Sequence, residues 1–96
     1  MNKYELALVL RPNPEEEAQN ASFEKVLALI TRFNGTVEKV DEWGKRRLAY
    51  EIDKCTEGVY SFITFAADGA APAEIESRMR IMDDVLRYLI IRMEEA

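Results

Sequence analysis

Apolar and polar positions alternate in four stretches of this chain, and two intervening stretches carry apolar residues at helical spacing. Over 4–10, Tyr4, Leu6, Leu8 and Leu10 form one apolar row, and Glu5, Ala7 and Val9 fall on the other. This period of two predicts a strand. Pro12 and Pro14 end it, because proline donates nothing to a ladder. A helix is predicted next, with Asn13 as N-cap, Pro14 as its first residue, and Glu15, Glu16 and Glu17 at the positive end of the dipole. Phe23, Val26, Leu27, Ile30 and Phe33 recur as one buried stripe, and Gly35, after Asn34, is the expected C-cap.

The second strand is read over 36–52, long enough that Gly44 is expected to interrupt it. Leu48, Tyr50 and Ile52 are two apart and share a face, with Tyr50 expected in the core. Residues 53–58 read as a turn or loop and 59–66 as a third strand rich in aromatic and β-branched residues. The short spacer implies an antiparallel hairpin. The breaker at 68–72 opens a second helix near Pro72 that turns Ile75, Met79 and Met82 inward. Asp83 and Asp84 turn the chain. The last strand, 85–93, has Leu86, Tyr88 and Ile90 on one row and Arg87, Leu89 and Ile91 on the other, before a short acidic run over 94–96.

This order predicts an α+β fold of the ferredoxin-like split βαβ type (βαββαβ), one domain over 1–96. A four-stranded antiparallel sheet carries two helices, and right-handed crossovers put both on one face. The first and last strands are then neighbours, and Ala7, Val9, Leu89 and Ile91 adjoin on the open face. An exposed apolar patch of that kind marks a contact with a protein partner.

Composition changes the picture in two ways. The net charge of -5 runs against nucleic-acid binding, which favours basic proteins. Screening nevertheless confines each charge to roughly 8–10 Å, so clustering matters more than the total. Lys45, Arg46 and Arg47 are consecutive, and the planar fork of arginine suits phosphate oxygens. Trp43 beside them is a candidate for base stacking. The chain has no histidine and a single cysteine, Cys55, so no thiol triad or zinc set can be assembled. The expectation is a non-enzyme with no catalytic residue, metal, cofactor or small-molecule substrate. With no apolar run of membrane-spanning length and no signal-peptide core, a cytoplasmic protein without a membrane partner is expected.

The stretch Gly44-Lys45-Arg46-Arg47-Leu48-Ala49-Tyr50-Glu51-Ile52 resembles the signature strand of the bacterial small-subunit ribosomal protein six family. The likeness extends from Tyr4-Glu5 through Val37-Glu38-Lys39-Val40 to Arg80-Ile81 and Asp83. It implies a ferredoxin-like, non-catalytic constituent of the small ribosomal subunit. Such a protein binds small-subunit rRNA in the platform region as a heterodimer with ribosomal protein eighteen. The resemblance carries rRNA contact onto Arg46, Arg47, Arg87 and Arg92, with Lys3 and Lys54 beside them, and Lys45 joins as part of the run of three cations. Glu51 and Asp53 depart from the family pattern and add negative charge beside the signature. The alternative is a small-molecule-sensing or dimerising module, since one fold hosts unrelated functions.

Overall fold

A computed structural model describes residues 1–93, so the acidic run over 94–96 lies outside the described residues. The elements are β1 (Asn2–Leu10), α1 (Glu16–Arg32), β2 (Thr36–Ile52), β3 (Cys55–Ala67), α2 (Ala71–Met79) and β4 (Val85–Met93). The strands form one antiparallel sheet in the order β2-β3-β1-β4. The ferredoxin-like expectation holds, with β1 and β4 adjacent and β2 and β4 at the edges.

Tyr4, Leu6, Leu8 and Leu10 are buried, as the alternation of β1 requires. They are in register with Phe65, Ile63, Ser61 and Val59 of β3, and all but Ser61 and Val59 of these eight belong to the buried apolar cluster. Val26 and Ile30 of α1 and Ile75 and Met79 of α2 close that cluster, with Phe23, Leu27 and Phe33 packed at its margin. Ser22 is also buried in α1. Its hydroxyl donates to Asp84 Oδ2 at 2.8 Å, tying α1 to the turn before β4.

Three boundaries differ from the sequence reading. Helix α1 begins at Glu16, not Pro14, because Asn13 Oδ1 accepts the Glu15 N–H at 2.9 Å and forms a turn ahead of the helix. At the other end it is Asn34, at φ 65°, that takes the left-handed position. The Asn34 N–H donates to Thr31 O at 3.0 Å and the Gly35 N–H to Ile30 O at 2.8 Å, a Schellman closure. Gly35 is needed for closeness: a Cβ there would lie 2.6 Å from Ile30 Cγ2. Finally, the expected loop over 53–58 is a two-residue turn. Asp53 and Lys54 sit at φ 46° and 67°, and β3 starts at Cys55. Positive φ at both central residues is the type I′ pattern that matches strand twist.

Candidate nucleic-acid and protein interface

The face of the sheet away from the helices is a grid set by strand register. One row across it reads Asp41, Phe62, Ala7, Leu89, and the next reads Lys39, Thr64, Glu5, Ile91. A third reads Gly44, Tyr60, Val9, Arg87. Leu89 and Ile91 are 56% and 49% exposed, as a contact surface requires. Ala7 lies between them and Phe62 and is partly covered. Val9 points to the same face but is only 8% exposed. It is covered by its own chain and offers little to a partner.

The cover is the tip of the β2–β3 hairpin. Between the pairs Arg47–Glu57 and Ile52–Cys55 the register shifts, with four residues of β2 facing one of β3. The surplus bends the tip. Leu48 is buried, and both Leu48 and Val9 crowd Gly58. A Cβ on Gly58 would lie 2.4 Å from Val9 Cγ1 and 3.3 Å from Leu48 Cδ2. We expect Gly58→Ala to destabilise the domain by about 1–3 kcal/mol through overpacking. Chemical denaturation checks this, and unchanged stability would mean that the tip does not pack on β1.

Tyr50, expected in the core, is 62% exposed. Burial on this side of the hairpin stops at Leu48, and the Tyr50 hydroxyl instead accepts a hydrogen bond from Arg87 Nη1 at 3.0 Å. Trp43 occupies a second bulge, between the pairs Glu42–Ser61 and Gly44–Tyr60, where Gly44 takes φ 80°. Its ring lies 4.9 Å from that of Phe62, its Nε1 donates to Asp41 Oδ2 at 3.1 Å, and the Arg46 guanidinium sits 5.9 Å from its centroid. Alternation within β3 does not by itself single out Phe62 for this face. The pairing of β3 with β1 does, because it sets Phe62 opposite Ala7.

The candidate cations divide into two groups. Lys45, Arg46 and Arg47 are exposed along β2, an edge strand, and Lys54 is in the turn that follows. Their register partners are Val59, Gly58 and Glu57, so they alternate in direction but share one sheet edge. Arg87 joins this end of the sheet opposite Val9. Lys3 and Arg92 lie at the other end. Lys3 Nζ is 3.7 Å from Glu38 Oε1, and Arg92 Nη2 donates to Asn2 Oδ1 at 3.0 Å. Seven residues of strand separate Lys3 from Leu10, roughly 23 Å. The two groups are electrostatically independent at physiological salt.

In the sequence, Arg11 is only a cation at the end of the first strand. In the fold it ion-pairs with Asp53, and its Nη1 donates to Cys55 Sγ at 3.3 Å. Its Nε donates to Asp83 O at 3.3 Å. These partners are more than forty positions away, and no local pattern announces them. The hydrogen bond to Asp53 is the main influence raising the pKa of the Arg11 guanidinium.

Comparison with known proteins places this geometry. A family model described as ribosomal protein S6 matches residues 3–92. The chain is 47% identical over 95 residues to the small ribosomal subunit protein bS6 of Alkaliphilus oremlandii, with 99% of this chain and 100% of that one covered. The bS6 protein of Clostridium acetobutylicum shows the same identity and coverage. The crystal structure of 30S ribosomal protein S6 from Thermotoga maritima superposes with a TM-score of 0.88 at 33% identity, covering 96% of this chain and 87% of that one.

Proposed function

The chain belongs to the ribosomal protein S6 family, and from that premise we propose that it binds small-subunit rRNA in the platform region together with ribosomal protein eighteen, without catalytic activity. As a small-subunit protein it is part of the ribosome in the bacterial cytoplasm. The observation that carries the proposal is the division of labour on one sheet: a cationic edge at β2 and an exposed apolar face over β1 and β4.

Lys45, Arg46, Arg47, Lys54 and Arg87 are the proposed rRNA contacts at one end of the sheet, with Lys3 and Arg92 as a second point of support. Phosphate contacts of this kind supply affinity that falls with salt. Ala7, Leu89 and Ile91 are the proposed centre of the protein-partner face, with Phe62 and Trp43 extending it and Val9, covered by the hairpin tip, at its margin. A basic partner also resolves the charge: this chain's net -5 attracts it, and the pair presents enough cations to RNA.

The partner face is tested by replacing both exposed residues, Leu89→Asp and Ile91→Asp, and measuring association with ribosomal protein eighteen by calorimetry. A central apolar anchor of an interface contributes about 2 kcal/mol, or about 30-fold in affinity, so the double variant should bind about a thousandfold more weakly while keeping its thermal transition. Undiminished association would move the partner to another surface.

A further inference from the structure

We infer that Arg11 is the positioning residue of the cationic edge: it ties the β2–β3 hairpin tip to β1 and to the turn before β4, and it cancels the Asp53 carboxylate next to Lys54. The consequence for binding rests on the proposed RNA role; the clamp itself rests on geometry alone.

Arg11 directly follows β1, which sits in the middle of the sheet. Its backbone N–H donates to Asp84 O at 2.8 Å and its Nε to Asp83 O at 3.3 Å, fixing it to the turn before β4. The other end of the guanidinium faces the hairpin. Nη2 pairs with Asp53 Oδ2, and Nη1 reaches Cys55 Sγ at 3.3 Å and Asp53 O at 3.5 Å. One planar group thus joins three segments, which the single ammonium of lysine cannot reproduce. An isolated surface ion pair contributes little. This one differs because two of the segments are held through backbone carbonyls as well.

The turn needs such a tie. Asp53 and Lys54 both adopt positive φ without being glycine, a conformation that persists only where the surroundings enforce it. The hairpin tip also carries Lys54 and, through β2, leads back to Arg47. A loose tip would spread those cations over many orientations. A bare Asp53 carboxylate would in addition repel the phosphates they attract. Arg11 removes both costs by holding the tip and neutralising Asp53.

The test uses the full chain with Arg11→Ala, Asp53→Ala, Arg11→Lys and the Arg11→Ala/Asp53→Ala double variant. Amide exchange over 48–58 reads the clamp, and affinity for a platform RNA fragment with ribosomal protein eighteen reads its consequence. Both alanine variants should speed exchange over 48–58 by about tenfold while the buried middle of β1 stays protected. Arg11→Ala should weaken RNA binding about tenfold and Asp53→Ala only about threefold, because the latter also removes a repelling carboxylate. The double variant should match Asp53→Ala, and Arg11→Lys should recover part of the affinity without the protection. A purely structural role would instead make the two single variants equal in binding, which overturns the inference. Unchanged exchange in Arg11→Ala overturns the clamp whether or not RNA binds. If the unmodified chain with its partner binds no RNA, the proposed RNA role and the positioning role fall together, and the exchange data still decide the clamp.

Discussion

Reversing two charges, Arg46→Glu with Arg47→Glu, is expected to weaken binding of a platform RNA fragment in the presence of ribosomal protein eighteen by about a hundredfold near 0.1 M salt. Both side chains are exposed on the edge strand β2, beyond any core contact. The variant should therefore keep its thermal transition to within a few degrees, as surface substitutions usually do. Its plot of log affinity against log salt should also flatten by about one for each phosphate that is no longer neutralised. The Arg46 guanidinium lies over Trp43, so glutamate there removes a stacked cation as well as adding a repelling charge. A fluorescence titration across salt concentrations checks both features. Full affinity in a folded double variant would remove the signature strand from the RNA interface.

The second large effect is on stability. Phe65→Ala should cost about 3–5 kcal/mol. Phe65 is fully buried in β3, in register with Tyr4, whose ring stacks on it at a centroid distance of 5.5 Å. Truncation would leave a cavity between the sheet and the helices that pack on it, and the sheet's hydrogen bonds keep the strands from closing over it. For a domain of this size each kcal/mol moves the midpoint by about 4–8 °C, so a fall of at least about 12 °C is expected. Calorimetry measures it. A small shift would mean that the buried row does not dominate stability. The two variants separate the faces: one should lose binding and keep stability, and the other should lose stability first.

The core is legible in the sequence because its pattern is local. The row of β1, Tyr88 and Ile90 of β4, the stripe of α1, and Ile75 and Met79 of α2 each follow from spacing within one element. A register shift in β4 sets Val85 rather than Leu86 against the core, and Met82 packs there from beyond the end of α2. The pairing of β1 with β4, and hence the adjacency of Ala7 with Leu89, follows from topology alone. What spacing misses depends on contacts between segments. Tyr50 has the alternation of a core residue, yet the hairpin tip curls so that only Leu48 is buried and Tyr50 meets Arg87. Val9 sits on the open face by parity and is covered by a segment some forty positions later. The turn at Asp53 and Lys54 lacks the glycine that announces a two-residue hairpin, and its outside tie, Arg11, has no sequence signature. The cations of β2 stand out because they are consecutive. The division of all the candidate cations between two ends of the sheet becomes visible only with the strand register.

In the proposed function, RNA binding is shared between this chain and a protein partner. The direct test is a titration of a platform RNA fragment with this chain, with and without ribosomal protein eighteen, at two salt concentrations. The shared interface predicts weak binding by the chain alone, strong binding by the pair, and a steep loss of the latter as salt rises. Absence of binding by the folded chain in the partner's presence, or affinity that the partner leaves unchanged, would contradict it.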